Sequence, residues 1–468
     1  MTAVLAPSAP SPIVDIPGLV RDLRRTFDSG RTRSLAWRDA QLARLDTLLE
    51  ERKDTLLQAL TSDLGKSRFE GWIAELGFLQ KEIAHTRSHL KRWTRPEKVR
   101  APLAVQPGRA YVVREPLGVV LVIAPWNYPL NLALGPLIAA LAAGNCVVVK
   151  PSEVAPATSA AMAELLPKYL DVEAVAVVQG AVPETTALLE QKFDHILYTG
   201  NGAVGRIVMA AAAKHLTPVT LELGGKSPTL VDASADLEVA ARRIAFGKFF
   251  NAGQTCIAPD YVLVDRKVED RLLDALKRVL RDFYGEDPKR SKDYARIINP
   301  RHHARLTALL GDGEVVAGGQ HDVADRYIAP TILRKVSPES KVMADEIFGP
   351  ILPVLAVDSM DEAVKFVVAR PKPLALYVFT GDRGVAEDVL ERTSSGGACV
   401  NDAVLHFAVP DLPFGGVGES GMGAYHGRAG FETFSHRKSV LAKSNAMDLP
   451  LRYPPYDERK QTWMKRLM

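Results

Sequence analysis

The chain has 468 residues, of which 47% are hydrophobic and 24% charged, with a formal net charge of +4. That length supports two or three domains that bury large cores without staples, which sets aside the small disulfide- or metal-stapled classes. The small charge argues neither for nor against a nucleic-acid or membrane partner, and three cysteines without metal-ligand spacing point to a reducing compartment.

Residues 1–12 are mostly Ala, Ser and Pro, without a basic residue or an apolar core, and read as a flexible leader rather than a signal peptide. Residues 36–93 carry Leu, Ala, Arg and Glu at helical spacing and predict several surface helices. In residues 96–113, Pro102, Pro107 and Gly108 separate short β-prone pieces, with Tyr111, Val112 and Val113 as one arm of a hairpin. Residues 116–149 hold no charge over 34 positions. A membrane-spanning helix needs about 20 apolar residues. Here Pro125, Asn127, Pro129, Asn131, Pro136 and Asn145 interrupt the run, which reads as strand, turn, helix and buried strand.

An alternation then sets in. Continuous apolar runs at residues 119–123, 146–149, 175–178, 195–198 and 219–223 are separated by helical stretches, notably 155–170 and 202–216. Unalternated strands with intervening helices predict a parallel sheet covered on both faces, with ligands at the carboxyl ends of its strands. The loops after Ala124, Lys150, Gly180 and Thr199 are therefore where chemistry is expected. A second α/β pattern starts near Lys226. Ser234 is the expected cap of a helix running toward Phe250, and residues 270–283 form an amphipathic helix with Leu272, Leu276, Val279, Leu280 and Phe283 on one stripe. Residues 377–379 and 397–400 look like strands. In the tail, Trp463, Met464, Leu467 and Met468 form an apolar stripe beside basic residues, read as the end of a soluble chain rather than a peripheral membrane helix.

Two features carry chemistry. Cys256 follows a helical run ending in Asn251, Ala252 and Gly253, a place where a thiol need not be walled into a core and can act as a nucleophile. Gly200, Asn201, Gly202, Ala203, Val204 and Gly205 spell G-x-G-x-x-G after a strand, with Glu222 lying 20 residues past Gly202. That satisfies the dinucleotide fingerprint with Glu222 as ribose ligand, although the fingerprint normally marks the first strand of a series and this is the fourth. A rival ribose pair is Lys150 with Glu153, a donor and an acceptor at the end of an earlier strand. That pair would free Glu222 for chemistry and leave the glycine turn to a pyrophosphate.

Many further motifs occur in one fixed order. They are Pro125 to Pro129, Lys150 to Glu153, Tyr198 to Asn201, Leu221 to Lys226, Asn251 to Asp260, Glu346 to Pro350, Asn401 with Asp402, and Pro413 to Gly418. With them the chain resembles the aldehyde dehydrogenase superfamily, in particular its class 3-like branch with fatty and coniferyl aldehyde enzymes. The resemblance implies an α/β fold with a Rossmann-like parallel-sheet cofactor domain at residues 1–98 and 116–221. A second α/β catalytic domain at 222–422 follows, with a small β bridging and oligomerisation element at 99–115 and 423–468. It implies Cys256 as nucleophile, Glu222 as general base and Asn127 as oxyanion donor, with no metal. NAD or NADP would be held by Trp126, Lys150, Glu153, Gly180, the turn from Gly200 to Gly205, Glu346 and Phe348. It further implies a medium- or long-chain aliphatic or aromatic aldehyde as substrate, a cytoplasmic homodimer, and no nucleic-acid or membrane partner. Gly202 stands where many relatives carry Thr, which loosens the turn. Glu419 has no assigned role. The rival readings are an acylating enzyme that passes the acyl group to coenzyme A, and a non-catalytic protein that keeps the fold.

Overall fold

The structure, a computed structural model, describes residues 15–467 except Met447 and Leu449, so the expected leader at residues 1–12 lies outside the described residues. Among the described residues the chain builds two large sheets and two small ones. The first large sheet has the order Gly421–Met422, Val219–Leu223, His195–Gly200, Val119–Ile123, Cys146–Lys150, Val175–Val177. Its strands pair in parallel apart from the short Gly421–Met422 edge. Side chains alternate across a strand. Val119, Leu121 and Ile123 therefore pack with Ile16, Val20, Leu23 and Phe27 of the helix Ile16–Asp28. Val120 and Val122 face the opposite core, with Leu134, Leu137 and Leu141 of the helix Asn131–Ala143. Apolar cover on both faces is why these strands read as largely apolar runs without polar alternation.

The uncharged segment divides into the strand, turn, helix and strand that its prolines and asparagines predict, and the helix Asn131–Ala143 is buried at every position. No helix among the described residues is long and apolar enough to cross a membrane. The second large sheet runs Glu314–Ala317, Thr331–Arg334, Ile351–Val357, Tyr261–Asp265, Pro228–Val231, Ala375–Phe379, Gly397–Val400, parallel except at its first pair. Its helix Leu237–Phe249 is capped by Asp236, whose carboxylate accepts from Val239 N at 3.1 Å. The expected cap, Ser234, instead bonds Asp232 and Thr380, because it stands two residues before the cap position. The helix Glu269–Tyr284 buries Leu272, Leu276, Val279 and Leu280, whereas Phe283 at its end is 37% exposed.

The strand Gly108–Pro116 pairs antiparallel with Glu97–Val99 on one side and along its whole length with Ser435–Lys443 on the other. One segment crosses the expected division of the chain. Gly421–Met422, assigned by sequence to the second α/β unit, completes the first sheet, with Gly421 opposite Glu222.

Candidate active site

Regular helix ends at Phe249, and the next residues form a turn rather than the helical end read from sequence. Asn251, Ala252 and Gly253 lie at φ 53°, 50° and 73°. Such a conformation costs a non-glycine residue about 1–3 kcal/mol and must be held by its surroundings. Glycine is required at 253 for a second reason, since a Cβ there would stand 2.2 Å from Gly349 O. Gln254 fastens the turn: its Nε2 donates to Asn251 O and Arg296 O, each at 3.0 Å, and its Oε1 accepts from Ile298 N at 2.9 Å. Thr255 Oγ1 and the Tyr128 hydroxyl share a hydrogen bond of 2.6 Å. Cys256 follows as a free, partly exposed cysteine.

Glu222 lies beside it, and Asn127 is tied to the turn that precedes it. Asn127, 3% exposed, leaves the first sheet on the loop after Val119–Ile123, and its Nδ2 donates to Gln254 O at 3.1 Å. A side-chain amide has two N–H donors, so one remains for a ligand. Glu222 lies on the strand Val219–Leu223 and is 1% exposed. Neither of its oxygens has a hydrogen-bond partner among the described residues. Burial pushes this carboxyl up to about 8, and the neighbour opposing the shift is the Cys256 thiol. The thiol is itself driven well above its usual range, first by burial and then by Glu222 and Glu346. Glu346 is raised as well, by burial and then by Asp260.

The expected cofactor residues line the carboxyl edge of the first sheet. Val119–Ile123 lies between His195–Gly200 and Cys146–Lys150, so the loops after its neighbours depart to opposite sides and leave a crevice. Lys150, 2% exposed, donates to Pro151 O at 2.8 Å and meets the half-exposed Glu153 at 3.4 Å. Across the crevice, Asn201 caps the helix Gly202–Ala213 by accepting from Val204 N at 3.0 Å. Gly205 packs this helix onto the sheet, since a Cβ there would come 3.0 Å from Leu223 Cδ2. Gly180 sits at φ 129°, with the Glu184 carboxyl folded over it. Trp126 meets Phe348 edge-on at 5.3 Å, and Glu346 lies so close to Gly224 that a Cβ would stand 1.9 Å from its Oε2. A helix N-terminus, glycines where side chains would collide, and a buried amine beside a carboxylate fit a dinucleotide.

Residues 14–440 match the sequence profile of the aldehyde dehydrogenase family. The chain belongs to that family. It is 52% identical over 442 residues to the dimeric, NADP-preferring aldehyde dehydrogenase of Rattus norvegicus, covering 94% of this chain and 98% of the relative. It is likewise 52% identical to aldehyde dehydrogenase family 3 member B1 of Homo sapiens over 443 residues, covering 94% and 95% of the two chains. The substrate-bound AldH of Staphylococcus aureus superposes with a TM-score of 0.95 at 44% identity, over 97% of this chain and 99% of that one. This aldehyde dehydrogenase therefore oxidises an aldehyde with NAD or NADP and falls in the class 3-like branch.

Around the aldehyde dehydrogenase site lie groups that sequence reading passed over. Lys66, Glu70 and Glu75 are all buried beneath Asn127 and the Asn251 turn. They stand among ordinary helix-forming residues, and nothing in their spacing distinguishes them. Tyr128 is engaged on its ring by Lys66 Nζ at 4.1 Å and on its hydroxyl by Thr255. Phe250 remains half-buried against Phe246.

Proposed function

We propose that Cys256, Asn127 and Glu222 convert an aldehyde to a carboxylate through a thiohemiacetal and a thioester. The observation that carries this is the meeting of a buried carboxyl, with both oxygens unpaired among the described residues, and the Cys256 thiol. The overall balance is RCHO + NAD(P)+ + H2O → RCOO− + NAD(P)H + 2H+.

Cys256 gives up its proton to a neighbouring carboxylate and its sulfur adds to the carbonyl carbon. The alkoxide so formed needs donors fixed in advance, and the second N–H of Asn127 Nδ2, with the backbone N–H of Cys256, can supply them. When bound, the nicotinamide provides the acceptor for the hydride that leaves this carbon. Glu222, its first proton released to solvent, takes a proton from water as that water attacks the thioester, and the C–S bond breaks with Cys256 leaving as thiolate. A carboxyl at about 8 is far better matched to this task near neutral pH than one at the ordinary 4.5. Two carboxyl oxygens unpaired among the described residues favour water over coenzyme A as acyl acceptor.

Lys150 and Glu153 would hold the adenosine ribose, Gly180 and the Gly200 to Gly205 turn the adenine and pyrophosphate, and Trp126, Glu346 and Phe348 the nicotinamide end. The domain division follows at residues 1–98 and 116–221, 222–422, and 99–115 with 423–468. The half-buried Phe250, packed against the exposed Phe246, favours an aliphatic chain or an aromatic ring as the aldehyde's substituent. A cytoplasmic homodimer without nucleic-acid or membrane partners completes the reading; the dimeric rat relative supports the dimer. The experiment is Cys256→Ala: it is expected to abolish dehydrogenase activity while circular dichroism and melting temperature stay at wild-type values. Substantial turnover in that variant would sink the mechanism.

A further inference from the structure

The reaction above needs the Asn127 amide and the Cys256 sulfur at a fixed separation, yet Cys256 follows a turn of three left-handed residues. Something must hold that turn. Asn251 Nδ2 donates to Asn127 O at 2.8 Å and to Gln254 O at 3.1 Å, and Gln254 O also receives Asn127 Nδ2 at 3.1 Å. Asn127, Asn251 and Gln254 thus form a closed ring of hydrogen bonds, two residues before the nucleophile.

The ring is anchored from below by charges. Lys66 and Glu75 are 0% exposed, with Nζ 2.6 Å from Oε1. The same Nζ donates to Asn127 O at 2.8 Å, and Glu75 Oε2 accepts from Leu130 N at 2.8 Å and Asn131 N at 3.2 Å. Glu70 accepts from Asn251 N at 2.7 Å. A buried ion pair adds little net stability over apolar packing of the same shape. Its use is to hold polar atoms in one arrangement. We infer that Asn251, seated on the Lys66–Glu75 pair and Glu70, is a positioning residue for catalysis, which aims the free N–H of Asn127 at the alkoxide formed on Cys256. This rests on the proposed roles of Asn127 and Cys256.

Lys66→Met would strand Glu75 in the interior, so the test uses Asn251→Gly. Glycine accepts φ 53° without strain. After the change Asn127 O still receives Lys66 Nζ, and Gln254 O still receives Asn127 Nδ2. The fold is therefore expected to stand while the ring opens. Rapid-mixing measurement of the first turnover of NAD(P)H should show a rate lower by about tenfold or more, since small misplacement of reacting groups is costly. The aldehyde KM, the cofactor Kd from tryptophan fluorescence and the melting temperature should be unchanged. A first-turnover rate within about twofold of wild type would overturn the inference, on the same scale. So would a rate loss accompanied by matching losses of cofactor affinity and melting temperature, which marks a purely structural role. Cys256→Ala is assayed alongside: activity there defeats the nucleophile assignment, whereas an inactive Cys256→Ala beside a fast Asn251→Gly defeats the positioning role alone.

Discussion

Burial penalises the ionised form of a carboxyl, and Glu222 is 1% exposed with neither oxygen paired by geometry among the described residues. Below about 8 it keeps its proton and cannot act as a base, so turnover limited by thioester hydrolysis should rise with pH and level off above about 8. Glu222→Gln should lose this rise and accumulate an acyl adduct on Cys256, seen as added mass on its peptide. An unmodified Cys256 after incubation with aldehyde and cofactor would refute the assignment. Stability follows from the same shift. The folded state holds a proton that the unfolded state releases between the ordinary 4.5 and about 8, so this group's contribution to stability falls as pH rises through that window. Glu70, raised to about 7 chiefly by burial, acts with the same sign. In cofactor-free protein the melting temperature of wild type should therefore decline relative to that of Glu222→Gln as pH rises across this range. Equal slopes for the two proteins would contradict the buried carboxyl's part in it.

At the scale of elements, the nucleophile turn and the loop bearing Glu346 and Phe348 meet at Gly253 and Gly349. Gly253→Ala would add a Cβ 2.2 Å from Gly349 O and force φ 73° on alanine. The backbone strain alone costs about 1–3 kcal/mol, readable as a lower urea midpoint, and activity should fall with it. A wild-type midpoint and rate would show that the two loops separate freely. The parallel strands were legible in sequence because a doubly covered sheet writes continuous apolar runs. Cys256, Glu222, Asn127 and the Lys150–Glu153 pair were read from ordered motifs; the structure puts Glu222 beside Cys256, ties Asn127 to Gln254 two residues before it, and brings Lys150 and Glu153 into contact. The glycine fingerprint read alone would have sent Glu222 to a ribose. Its place beside Cys256 depends on a pairing between distant strands that no local pattern records. The same holds for Lys66, Glu75 and Asn251, whose partners lie 61, 55 and 124 positions away. The helix cap was misplaced by two residues because Ser234 and Asp236 are both good caps, and only geometry chooses between them.

At the scale of the whole molecule, Gly397–Val400 ends one large sheet and Glu97–Val99 ends the three-stranded one, each with an edge unpaired among the described residues. Unpaired edges are usually covered. Light scattering should give twice the chain mass of 51.0 kDa, and a persistent single-chain mass at micromolar concentration would refute the dimer. Within one chain, the sheet bearing Glu222 is also completed from afar. Leu223 N donates to Ser420 O at 3.0 Å, and Gly421 pairs with Glu222 itself. During synthesis the strand carrying Glu222 leaves the ribosome almost two hundred residues before the segment that borders it. The Cys256 turn and the carboxyl edge of the first sheet can thus take shape on a growing chain, while Glu222 gains its final neighbour only after the Gly421–Met422 segment has emerged.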